Sequence, residues 1–150
     1  RLSNEEAAMS GGYTDVWEID HNDLTATTDN ATQTLTYNLD PGDIVEAVDV
    51  RVVTEFDDSG GGDELTLDIG DGADADGFVD AIALHTDQSP AAYFQGNGAF
   101  VDGEGRLYTS TDTIDALFTP NISTGTDYAL SECNAGKIRI LMRIRRLGEQ

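Results

Sequence analysis

Apolar residues recur at every second position along most of this chain, in short runs separated by clusters of Asp, Gly, Asn and Thr. A period of two is that of an extended strand, whose successive side chains point to opposite faces. Leu65, Leu67 and Ile69 share one face in this way. The alternation breaks at the acidic, glycine-rich stretch Asp71 to Gly77 and resumes over Phe78 to Leu84. Glycine supplies positive φ and aspartate closes Asx-turns, so this stretch predicts a tight connection between two strands.

The same rhythm predicts strands elsewhere. Over Tyr13 to Ile19, Tyr13, Asp15, Trp17 and Ile19 oppose Thr14, Val16 and Glu18. Over Thr32 to Leu39, Leu35, Tyr37 and Leu39 oppose Thr32, Thr34, Thr36 and Asn38, before the turn Asp40-Pro41-Gly42-Asp43. Ile44 to Phe56 reads as a long strand with Val48, Val50, Val52, Thr54 and Phe56 inward, and Asp57 to Asp63 as a hairpin back onto the Leu65 strand. Ser89 to Gly105 suggests a loop-rich crossing, followed by short strands over Leu107 to Thr113 and Ile114 to Phe118. The cleanest alternation is the last: Ile138, Ile140, Met142 and Ile144 on one face, Lys137, Arg139, Leu141, Arg143 and Arg145 on the other.

About eight strands at roughly ten-residue spacing, with almost no helix, predict an all-β, single-domain antiparallel β-sandwich or jelly roll over residues 13–150. Residues 1–12 read as a short N-terminal arm. Ser3 and Glu6 form a capping box before Ala7-Ala8-Met9, and Gly11-Gly12 stops the helix. A turn or two of helix does not hold itself together in water, so the segment either docks on something or frays.

Charge narrows the partners. The chain has 29 acidic and 8 basic residues in 150, a formal net charge of -21. Such a body repels phosphate and anionic lipid, so neither nucleic acid nor a membrane surface is an expected partner of the whole domain. No apolar run is long enough to span a bilayer, and residues 1–12 hold no apolar signal core. The bases are segregated: Lys137, Arg139, Arg143, Arg145 and Arg146 are five of the eight, and none lies between Arg51 and Arg106. Successive cations on one strand face stand about 7 Å apart, which costs about 0.6 kcal/mol per pair in water. That face calls for carboxylates from a neighbouring strand, a second copy of the chain or another protein.

Catalytic and metal motifs are weak. Asp71, Asp74 and Asp76 resemble a calcium loop, but placing Asp74, Asp76 and Gly77 at EF-hand positions 3, 5 and 6 puts Gly72 at position 1 and Ala83 at position 12. These three are the candidate metal ligands, against the alternative of a solvated turn, and no cofactor is expected. The single cysteine, Cys133, reads as a small buried apolar residue, and His21 and His85 stand far apart without a metal spacing. Asp58-Ser59-Gly60 matches an acid-protease triplet but opens a three-glycine turn. Gly60 to Gly62 lacks the lysine of a phosphate loop, and no serine sits in a nucleophile elbow. The expectation is a protein without enzymatic activity.

The segment Leu67 to Asp80, LDIGDGADADGFVD, preceded by Val50 to Phe56, VRVVTEF, resembles small virion proteins of tailed bacteriophages, in particular capsid decoration (cement) proteins with a jelly-roll fold. The resemblance implies a non-enzymatic structural protein on the outer surface of the phage head, a homotrimer that clamps neighbouring subunits of the major capsid protein. Contact candidates follow from placement at the chain's two ends: Leu2 and Met9 of the arm, and Lys137, Arg139, Arg143, Arg145 and Arg146. Two other classes compete. One is a carbohydrate-binding jelly-roll module of a fibre, tail or secreted protein, against which Trp17, Tyr37, Tyr93, Phe94 and Tyr108 look scattered. The other is a hydrolase with a carboxylate pair, for which no motif is present.

Overall fold

The computed structural model describes residues 12–58, 64–85, 92–101, 103, 105–120 and 127–147. Among them the strands are β1 (Asp15–Asp20), β2 (Gln33–Leu39), β3 (Asp43–Asp58), β4 (Leu65–Gly70), β5 (Val79–Ala83), β6 (Ala92–Phe94), β7 (Arg106–Leu107), β8 (Asp112–Pro120) and β9 (Cys133–Arg146). Sheet A runs β1-β9-β3-β6, with β7 also on β3, and sheet B runs β2-β8-β4-β5. Every named pair is antiparallel. With the two-residue β7 set aside, the first strand pairs with the last, the second with the next to last, the third with the sixth and the fourth with the fifth. That nesting is a rolled-up hairpin, the jelly roll.

The two sheets pack on the apolar faces that the alternation marked. Leu65, Leu67 and Ile69 of β4 face Val48, Val50 and Val52 of β3 and Ile138, Ile140 and Met142 of β9 in one core, each 1% exposed or less. Removing an Ile or Val side chain from water is worth about 1.5–3 kcal/mol, so these strands are held by their inner faces. Phe56 and Phe118 meet across the core with ring centroids 6.2 Å apart.

Three strand expectations change. Thr54 is exposed, not inward. β3 carries an extra residue between Val52, opposite Ile138, and Thr54, opposite Lys137, and a bulge of one residue turns the next side chain to the other face. A second irregularity before Asp57 returns Phe56 to the core. Asp57 to Asp63 does not join a hairpin, because β3 lies in sheet A and β4 in sheet B. Both edges of β3 are already used, by β9 on one side and by β6 and β7 on the other. Lastly, Ile114 to Phe118 is the middle of the longer β8, while Leu107 belongs to β7 and is 52% exposed. The expected N-terminal arm, with Leu2 and Met9, lies outside the described residues except for Gly12.

Candidate functional site

Strand parity puts one side chain in two of β9 on the outside of sheet A, and register brings others beside it. Glu18 of β1, Arg139 of β9, Arg51 of β3 and Tyr93 of β6 form a row straight across the four strands. Val16, Leu141 and Asp49 form the next row, and Arg143 lies opposite Ala47. Lys137, Arg139, Arg143 and Arg145 therefore share one face, as the alternation required. Arg51 joins them, which the sequence did not indicate. Its placement depends on the register of β3 against β9, a pairing of residues 88 positions apart in the chain.

Part of this charge is balanced from the same sheet. Glu18 stands 3.6 Å from Lys137 Nζ and accepts from Arg139 Nε at 3.1 Å. Arg139 first, then Lys137, holds the Glu18 carboxyl below its usual range. Arg145 Nε lies 4.0 Å from Glu46. Among the described residues, no carboxylate is in ion-pair reach of Arg51 or Arg143. Arg51 moreover sits directly opposite Arg139, and like charges in register destabilise a sheet unless an anion lies over them.

Arg146 stands apart from these cations. It lies two positions beyond Ile144, on the inner side of β9, and is only 16% exposed. Its guanidinium donates to both oxygens of the fully buried Asp15, at 3.0 and 2.8 Å. Asp15 also accepts from the Tyr37 hydroxyl of the opposite sheet and from Thr14 Oγ1 at 2.7 Å. Burial opposes ionisation of Asp15, but Arg146 and the two hydroxyls outweigh it and hold the carboxyl below its usual range. Trp17 covers this lock, its ring 5.6 Å from that of Tyr37. Arg146 is a tie between the sheets rather than an outward cation.

Beside the cationic rows lies an open polar groove of about 420 Å³, lined by Tyr13, Glu46, Asp49, Tyr93, Gln95 and Arg143. The Tyr13 hydroxyl donates to Asp49 and lies 2.9 Å from that of Tyr93. Asp49 also accepts from the Gly96 N–H at 2.8 Å. These aromatic side chains, scattered in sequence, meet because β6 pairs with β3.

The acidic turn joins β4 to β5 as expected, but Asp71, Asp74 and Asp76 do not converge on one ion. Asp71 is 3% exposed and points inward. One carboxylate oxygen accepts from the N–H groups of Ala73 and Asp74, at 2.8 and 3.1 Å; the other accepts from the Tyr108 hydroxyl at 2.8 Å and faces Arg106 Nη2 at 3.3 Å. Those partners overcome the burial and hold the Asp71 carboxyl below its usual range. Gly70 is required here, since a Cβ would stand 1.9 Å from the Asp74 carbonyl oxygen. Asp74 stays at the rim, where a side-chain hydrogen bond with Asp76 raises its carboxyl. Asp76 gathers instead with Asp68 and Asp80, a half-exposed acidic trio whose oxygens lie within 4.8 Å of one another. Compared with known proteins, the chain matches no family model, and no curated protein is similar to it.

Proposed function

We propose that this chain is a non-enzymatic structural protein of a phage virion, which decorates the head and cements neighbouring major capsid subunits through the outer face of sheet A. The observation that carries the reading is the separation of charge. Arg51, Lys137, Arg139, Arg143 and Arg145 stand on one sheet face of a molecule whose net charge is -21. A cationic patch on an acidic body fits an acidic protein surface; a polyanion such as nucleic acid would meet repulsion from everything around it. The jelly-roll nesting and the resemblance of the β3 and β4–β5 segments to decoration proteins support the same reading. Binding the assembled lattice, and not free subunits, stabilises a shell by mass action. Self-association as a homotrimer completes the proposal: the outer edges of β1, β2, β5 and β6, unpaired among the described strands, would be covered by neighbouring copies.

The test is sedimentation of the purified protein, then co-sedimentation with empty heads of its own phage. A trimer that pellets with the heads is expected. A second reading rests on the Tyr13–Tyr93 groove, whose hydroxyls, carboxylates and half-exposed ring suit a sugar. A monomer indifferent to heads but retained on a glycan column would replace the first reading with a carbohydrate-binding module.

A further inference from the structure

At the end of β3 two carboxylates and an imidazole meet. Asp57 and Asp58 are the last residues of β3, and His85 stands two residues beyond β5. The Phe56 N–H donates to the Leu84 carbonyl at 3.0 Å, and a parallel bridge joins Phe56 to His85. Main chain at the end of β3 in sheet A thus touches the segment leaving β5 of sheet B. His85 Nε2 lies 3.5 Å from Asp57 Oδ1 and 3.8 Å from Asp58 Oδ1. One donor atom from each of the three side chains falls within 4.8 Å of the others. The Asp58 side chain is fully buried and that of His85 8% exposed, whereas Asp57 is 65% exposed. Of the three side chains, that of Asp57 is the one open to solvent.

We propose that Asp57, Asp58 and His85 form a binding site for one divalent transition-metal ion of the Zn²⁺ class, which ties the end of β3 to the segment leaving β5. Donor chemistry selects the ion. Imidazole suits zinc and its neighbours, whereas calcium and magnesium prefer oxygen alone. Geometry agrees: a tetrahedral ion with bonds of about 2.0–2.1 Å holds its donors about 3.3 Å apart. The two imidazole–carboxylate separations need to close by only a few tenths of an ångström. Water entering past Asp57 completes the coordination. Cys133, opposite Asp58 on β9, is not among the side chains whose donor atoms gather here.

Equilibrium dialysis of the EDTA-stripped protein against zinc chloride tests this, at about 150 mM salt to screen surface charge and with excess Mg²⁺ to occupy the exposed carboxylates. One equivalent of zinc is expected, with a thermal midpoint higher by about 5–10 °C at a hundredfold excess over Kd. His85→Gln should weaken uptake at least tenfold, and Asp57→Asn, at an exposed position that leaves the fold intact, should do the same. Less than one equivalent in the wild type, or equal uptake by the wild type and both variants, overturns the proposal and leaves the three side chains as a polar contact between the two segments.

Discussion

Asp15 has no contact with solvent, and its charge is met by Arg146, a residue 131 positions away, and by Tyr37 from the other sheet. Removing only the cation leaves a buried carboxylate without a counter-charge. Arg146→Met should therefore lower stability by about 3 kcal/mol in urea unfolding, and adding Asp15→Asn should recover part of that loss. The sign of the pH dependence follows from the same contacts. The folded-state carboxyls of Asp15 and Asp71 lie below their usual range, so the unfolded chain takes up protons first. Their stabilisation is present above about pH 4, the ordinary aspartate value, and is lost as pH falls through the lower folded values. Urea midpoints should hold from pH 7 to about 5 and fall below about 4; a flat profile down to pH 3 contradicts this. Neither contact was legible in the sequence, because an ion pair between opposite ends of a chain leaves no local pattern. The outward side chains of β9 were legible, because alternation alone sets a strand's two faces.

At the scale of elements, β9 is the central fact. It pairs with β1 on one side and β3 on the other, and Ile138, Ile140 and Met142 are fully buried. Ile140→Ala should cost about 3 kcal/mol in unfolding free energy. Gly136 lets β9 pass close to a side chain of β3: it has φ +139°, and a Cβ there would lie 2.3 Å from the Phe56 ring. Gly136→Ala should accordingly destabilise by more than about 1 kcal/mol, since backbone and ring would both have to shift. The alternation located β1, β2, β4 and β9 well. It failed where β3 bulges, at Thr54, because an inserted residue changes the face without changing the composition. It failed also at the Gly-rich link after Asp58, since a turn signal marks where a strand stops and says nothing about which sheet takes the next one.

For the whole molecule, the all-β sandwich was legible from rhythm and turn spacing, whereas the strand order was not, since pairing first strand with last depends on which edges remain free. Charge separation was half legible: the cationic end of the chain was evident, but Arg51 and the compensation by Glu18 appear only once β1 and β3 flank β9. Contacts made by such a face weaken with salt, so the proposed binding to empty heads should fall steeply between low and high ionic strength while the fold persists. The most direct test of the account is a charge reversal, Arg51→Glu with Arg139→Glu and Arg143→Glu, in co-sedimentation with empty heads, with unchanged circular dichroism as the control for folding. Like charges brought together across an interface cost several kcal/mol, so the predicted result is a loss of affinity of about 100-fold or more in a folded protein. A triple variant that pellets with the heads as the wild type does would contradict the assignment of this face.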